Sequence, residues 1–350
     1  QGTVSSFDTN EATQGYSLPV TASWELDVFG RMRNSKKQAK ALYAQSEDYR
    51  QAVRTQLIAG IANTYYTLLM LDEQLIISRQ TEEAWKETVA STRSLMNAGL
   101  ANESAVSQME ATYYQVQGSV LDLQQQISQV ENSLALLLAE TPRNYERGML
   151  AKQQFPTDLS IGIPVRMLSS RPDVRSAERT LEAAFYGTNA ARSAFYPSIT
   201  LSGSAGWTNS AGSLILNPGK FLASAVGSLT QPLFNKGQVV AQYRIARAQQ
   251  EEAALGFQQT LLNAGSEVND ALIAYQTSQG KRILLDKQIT SLQTALRSTT
   301  LLMEHGNTTY LEVLTSRQSL LTAQLSQTAN HFTEIQSLIN LYRALGGGQE

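Results

Sequence analysis

Ser198-Ile199-Thr200-Leu201-Ser202-Gly203-Ser204-Ala205-Gly206-Trp207 alternates by type along its whole length. Successive side chains of a strand point to opposite faces. Ile199, Leu201, Gly203, Ala205 and Trp207 therefore share one face. Ser198, Thr200, Ser202, Ser204 and Gly206 share the other. Two environments suit such a strand: a membrane barrel with lipid outside and water inside, or a soluble sandwich covered on one side. What surrounds the strand chooses between them.

Two neighbours repeat the pattern. Tyr16 to Leu26 sets Tyr16, Leu18, Val20, Ala22, Trp24 and Leu26 against Ser17, Pro19, Thr21, Ser23 and Glu25. Phe221 to Leu233 returns after a Gly/Asn/Ser/Pro loop at 208–220. Phe221, Ala223, Ala225, Leu229 and Leu233 lie on one face, with Leu222 and Val226 as exceptions. If the loops lie on one side of a bilayer, Tyr16, Trp207 and Phe221 form one aromatic belt. Trp24, Phe195, Tyr196 and Phe234 form the other, roughly ten residues away, as in outer-membrane strands. The expected lipid-facing positions are Leu18, Val20, Trp24, Ile199, Leu201, Trp207 and Phe221. The remaining chain reads as helix and offers no second sheet for a sandwich. Three strands cannot close a barrel, and an open edge in lipid is not viable. The barrel must then be shared, with about four strands from each of three chains giving about twelve.

The helical pattern itself comes twice. From Arg31 to about Met96 no proline interrupts it, a length on the order of 100 Å. Asn97-Ala98-Gly99 reads as a stop, with Asn102 or Ser104 capping a second helix that runs to Ala139. Beyond Phe234 a second long pattern breaks at His305-Gly306-Asn307 and resumes to Leu345. Phe234 lies 205 residues after Phe29, and Gly306 lies 207 after Gly99. Leu95-Met96-Asn97-Ala98-Gly99 returns as Leu302-Met303-Glu304-His305-Gly306. An internal two-fold repeat follows, whose symmetry predicts one more strand before residue 1. In the last helix Leu311, Leu314, Gln318, Leu321, Leu325, Thr328, Phe332, Ile335, Ile339 and Tyr342 keep heptad spacing, the mark of coiled-coil packing.

The expected fold is mainly α, with a small membrane β part and long antiparallel helical hairpins. Residues 1–139 form the first repeat, containing strand 16–26 and hairpin 31–139. Residues 140–195 form a connection with a helix at 172–194, where Pro172 and Asp173 suit the first turn. Residues 196–234 form a β-hairpin, 235–346 the second helical hairpin and 347–350 a tail.

Composition narrows the function. Net charge is −2 over 350 residues, so no basic surplus points to nucleic acid. With no cysteine, thiol nucleophiles, disulfides and thiolate metal sites are excluded. His305 and His331 lack metal-ligand spacing. Gly203-Ser204-Ala205-Gly206 is strand, not a nucleophile elbow, and Gly346-Gly347-Gly348 follows a helix and cannot open a phosphate-binding turn. No enzyme, cofactor or metal site is expected. No apolar run reaches the ~20 residues of a membrane-spanning helix. Residues 1–20 carry no signal-peptide pattern, and the opening reads as the inside of a longer precursor.

Ser170-Arg171-Pro172-Asp173-Val174-Arg175-Ser176-Ala177-Glu178 resembles the RRPDI-x-x-AE signature of TolC-like outer-membrane efflux factors. Ala190 to Leu201, Trp24 to Arg31 and Tyr342 to Gly348 are similar to the same family's pattern, in family order. The OprM and CusC type, paired with resistance-nodulation-division pumps, is the nearest branch. The resemblance implies a homotrimer with a twelve-stranded barrel in the outer membrane and a helical tunnel through the periplasm. It implies a periplasmic adaptor (membrane fusion protein) and an inner-membrane resistance-nodulation-division transporter as partners, with drugs, metals or other small toxic compounds exported passively. It sets the adaptor-docking tips at Gly99, Leu100, Asn102, Glu103, Gly306, Asn307 and Tyr310. It sets the periplasmic gate at Leu311, Glu312 and Thr315, where the family's usual aspartate is replaced by Thr315. Three copies of Glu312 could attract cations; equally, Glu312 could be a solvated helix position. The N-terminal cysteine that carries a lipid anchor in many relatives is not among these residues, which leaves lipoprotein status open. A type I secretion duct has the same fold. A soluble coiled-coil scaffold explains the heptads but not the two-sided strands.

Overall fold

The computed structural model describes residues 16–99, 101–153, 170–209, 220–231, 234–305 and 309–347. Its elements run β1 (Tyr16–Leu26), α1 (Arg31–Asn97), α2 (Glu103–Leu138), a 3₁₀ turn (Leu150–Lys152), α3 (Pro172–Ser193), β2 (Ser198–Asn209), β3 (Lys220–Thr230), α4 (Gln238–Glu304) and α5 (Tyr310–Ala344). The chain is mostly helical with one small antiparallel sheet, as the alternation and the long proline-free runs required. Contacts divide it into two compact units: residues 1–45 with 177–257, and residues 46–176 with 258–350. No described helix is long and apolar enough to cross a membrane.

The first unit holds the sheet, in the order β1-β2-β3. The register pairs Val20 with Ala205, Trp24 with Leu201 and Leu26 with Ile199; β2 continues it, pairing Ile199 with Leu229 and Trp207 with Phe221. Directly opposed residues share a face.

The turn from β1 into α1 is fixed by charge. Arg31 grips Glu25 through Nε and Nη2. The Asp27 carboxylate accepts the N–H groups of Met32 and Arg33 at 3.0 and 2.8 Å, satisfying orphan donors of the first turn. Desolvation opposes its charge, but those N–H bonds and the Arg33 guanidinium outweigh it and hold its pKa below the ordinary carboxylate value. Gly30 supplies the left-handed step at φ +79°. Below the strands, Phe29 stacks on Tyr196 with centroids 4.7 Å apart. Phe195 meets the Tyr243 ring edge-on, and Thr188 Oγ1 donates to the Ala246 carbonyl.

The second unit is a helix assembly with several small cores in place of one. Leu68 and Leu71 pack on Ile127 and Leu134. Leu69 meets Leu150 and Ile335. Trp85 meets Met109, Val116 and Leu321. Val268 and Ala271 meet Leu341 and Ala344. Arg147 clamps the connection after α2 to the hairpin, contacting Asp72 at 2.7 Å and Glu131 at 2.9 Å.

Arg171, only 5% exposed, gathers the start of α3 and the end of α5. It donates to both Asp173 oxygens (3.0 and 2.7 Å), to Glu267 (2.8 Å) and to the Ala344 carbonyl (3.1 Å). The arginine and aspartate of the quoted signature are therefore a clasp between chain segments. Thr55 Oγ1 donates to the Gly347 carbonyl beside it.

The heptads of α5 are half of its packing. Leu321, Thr328 and Ile335 are buried as that spacing requires. Leu311 and Tyr342, at the two ends, are exposed. A second buried line, Val313, Ala323, Asn330, Glu334, Ser337 and Leu341, carries three polar residues. Asn330 donates to the Ser278 carbonyl at 2.8 Å and Ser337 to the Thr333 carbonyl at 2.7 Å, while Glu334 forms an ion pair with Arg282 at 3.5 Å, so polar pairing replaces apolarity there.

Candidate functional sites: the two-faced sheet and the hairpin tips

The register collects the sequence-predicted membrane positions. Leu18, Trp207 and Phe221 oppose one another across the three strands; so do Val20, Ala205 and Ala223, and Trp24, Leu201 and Gly227. Ile199 follows in the row with Leu26 and Leu229. All seven residues thus share one face. Val20 and Trp24 are 72% and 66% exposed and belong to one contiguous apolar face. The other face carries Thr21, Ser204 and Ser224 in one row and Glu25, Thr200 and Ser228 in another. The Ser204 and Ser224 hydroxyls lie 2.8 Å apart. Val226 joins Ser23 and Ser202 on this polar face, the irregularity its sequence position announced.

At the hairpin turns, Gly99 adopts φ +76°, and its N–H donates to the Met96 carbonyl at 2.9 Å. Asn102, not Ser104, is the N-cap of α2: its side chain accepts the Ala105 N–H at 2.8 Å. Glu103 follows in the first turn, where the helix dipole favours an acid. Leu100, Gly306 and Asn307 lie outside the described residues. Tyr310 begins α5, and its hydroxyl donates to Gln108 of α2 at 3.1 Å. Tyr310 and Leu314 also pack on the Trp85/Met109 cluster.

Leu311, 54% exposed, and Glu312 project from the first turn of α5. Thr315 is exposed too, but its hydroxyl donates to the Leu311 carbonyl at 2.8 Å. It is engaged by its own helix, where an aspartate would present a charge. Sequence reasoning missed Arg317. Its guanidinium lies 5.5 Å from the ring of Trp85, which is fully buried. Burial lowers its pKa, against the pull of Glu87. Gln108 was missed as well; nothing in local spacing links residues some 200 positions apart. Among the described residues no group of three or more His, Cys, Asp or Glu side chains could hold a metal.

A groove of about 700 Å³ lies between α4 and α5, lined by Ala274, Ser278, Lys281, Ala329, Asn330 and Thr333. Leu255, Leu262, Ile273 and Leu284 of α4 stand exposed.

The sequence pattern of the family described as "Outer membrane efflux protein" matches residues 2–140 and 163–347. The chain belongs to that family. It is 31% identical over 340 residues to the solvent efflux pump outer membrane protein SrpC of Pseudomonas putida, covering 95% of this chain and 71% of SrpC. It is 28% identical over 337 residues to the cation efflux system protein CusC of Escherichia coli K12, covering 96% and 74%. A crystal structure of CusC superposes with a TM-score of 0.91 at 28% identity, over 99% of this chain and 81% of that one. The protein is accordingly an outer-membrane efflux duct, the outer-membrane component of an efflux pump. Its family is one of transport channels.

Proposed function

We propose that three copies assemble into one passive conduit, with a shared twelve-stranded barrel in the outer membrane and a helical tunnel below it. One observation carries this reading. A three-stranded sheet puts an exposed apolar face opposite a hydroxyl-lined face, in a chain with no second sheet among its described elements. Neither face suits the interior of a soluble monomer, and the outer strands need partners. The open groove between α4 and α5 and the exposed leucines of α4 suit a neighbouring copy's helices.

The internal repeat belongs to the same reading. Helices α1 and α4 each contain 67 residues. Both helix starts of the second hairpin, Gln238 and Tyr310, lie 207 positions after Arg31 and Glu103.

The tips at Gly99, Asn102, Glu103 and Tyr310, with Leu100, Gly306 and Asn307, are the surface for a periplasmic adaptor that links the duct to an inner-membrane resistance-nodulation-division transporter. Leu311 and Glu312 line the gate, Thr315 contributing no charge. CusC is named for cations and SrpC for solvents. The exposed Glu312 favours the cationic class of those two. Electron microscopy of detergent-purified particles tests the assembly: three-fold particles with one barrel support it, and well-dispersed monomers refute it.

A further inference from the structure

We propose that the foot of the barrel is a binding belt for the headgroups of anionic phospholipids. This rests on the barrel reading above and adds a ligand class to it.

The charge is strongly segregated. Residues 25–45, 183–197 and 231–250, the strand–helix joins of the first unit with the helix turns next to them, contain nine Lys or Arg and two acids, in a chain of net charge −2; Glu182, Glu251 and Glu252 lie just beyond them. Both acids are engaged, Glu25 by Arg31 and Asp27 by Arg33. Lys36, Lys40, Arg192, Lys236, Arg244 and Arg247 are exposed. None of these six has a carboxylate partner among the described residues. Lys36 and Lys40 lie one turn apart on one helix face, as do Arg244 and Arg247. Lys40 and Arg247 each lie nine residues beyond the start of their helix, Arg31 and Gln238, about 14 Å at 1.5 Å rise per residue, and flexible lysine and arginine stems extend their reach toward the strands.

A solvated basic surface would need nothing more. Here aromatic and aliphatic side chains stand exposed at the same level. Phe234 is 98% exposed, and Val28, Phe29, Phe195, Tyr196 and Leu229 are all exposed. Exposed aromatics, Tyr196 among them with a polar hydroxyl, and cations at the foot of an apolar sheet face form the pattern that meets a membrane–water boundary. The occupant is a phosphodiester with an acyl tail: the phosphate answers the cations, the tail the apolar side chains. Each cation near an anionic surface strengthens binding by up to about fivefold before salt screening.

The test uses the full assembly, delipidated and reconstituted into vesicles of phosphatidylcholine with a minor share of phosphatidylglycerol. After re-extraction in mild detergent, retained lipid is counted by mass spectrometry. Wild type should retain phosphatidylglycerol several-fold above its share. A variant with Lys36→Gln, Lys40→Gln, Arg244→Gln and Arg247→Gln should lose about tenfold of that enrichment while still inserting. The double variant Lys36→Gln/Lys40→Gln, a milder change, should lose a part of it. Lys152→Gln, at an exposed position of the second unit, should lose none. Insertion with no enrichment in wild type, or unchanged enrichment in both variants, overturns the belt alone. So does a variant that alters only the ion selectivity of the conductance, because the cations then line the pore. Failure of wild type to insert overturns the barrel reading and the belt with it.

Discussion

Replacing Arg171 with glutamine should loosen the clasp between α3, α4 and α5. The guanidinium makes four bonds and its side chain is 6% exposed, but the partner carboxylates are not equally buried: Asp173 is 46% and Glu267 44% exposed. Both can rehydrate, so the full penalty for stranding a buried charge, about 3–5 kcal/mol, does not apply. The Ala344 carbonyl cannot rehydrate as readily, since Ala344 is buried, and an unmet buried acceptor costs about 1–3 kcal/mol. Adding the loss of one bidentate pair gives roughly 2–4 kcal/mol. Arg171→Lys should lose most of it, because an ammonium cannot reach three partners in one plane. The assay is thermal unfolding of the detergent-solubilised protein by intrinsic fluorescence, with a fall of several degrees expected for both variants. The clasp also sets a pH dependence. Desolvation opposes the Asp173 charge, but bonds from Arg171 and from the Val174 N–H outweigh it and leave its pKa below the ordinary value of about 3.8. Its contribution is therefore fully present above that value and lost as pH falls through the depressed one. Wild type should lose stability there more steeply than Arg171→Gln. Melting within a degree of wild type for Arg171→Gln, with an unchanged acid profile, would refute the reasoning.

Gly99→Val should strain the tip. With φ at +76° a β-branched residue costs about 1–2 kcal/mol locally although its Cβ meets nothing within 4 Å; drug tolerance in cells should fall while assembly persists on native gels. Ala139 adopts φ 55° at the end of α2, so Ala139→Gly should raise stability by about 0.5–1 kcal/mol in the same melting assay. Glu312→Gln should lower the cation preference of single-channel currents in planar bilayers; an unchanged reversal potential would make Glu312 a solvated helix position.

The sheet was legible because an apolar face set against a hydroxyl-lined one imposes period two, and period two is local. The helix ends were legible where chemistry punctuates them, at Gly99, Asn102 and Pro172. The Arg171-Pro172-Asp173 signature was readable as a motif, but its physical role needed Glu267 and Ala344, which sequence spacing does not link to it. The second buried line of α5 stayed hidden because Asn330, Glu334 and Ser337 read as surface until the Ser278 carbonyl and Arg282 stand opposite them. Arg317 over Trp85 was hidden for the same reason. At the proposed gate, sequence distinguished Thr315 from the expected aspartate, but not that its hydroxyl is turned back to Leu311.

The chain contains no cysteine, which permits a direct measurement. Single cysteines at Val20, Thr21, Leu201 and Ser202, spin-labelled in the reconstituted protein, report collisions with oxygen and with a water-soluble nickel chelate. The account predicts that Val20 and Leu201 favour oxygen while Thr21 and Ser202 favour the chelate. Equal chelate access at all four positions would contradict it.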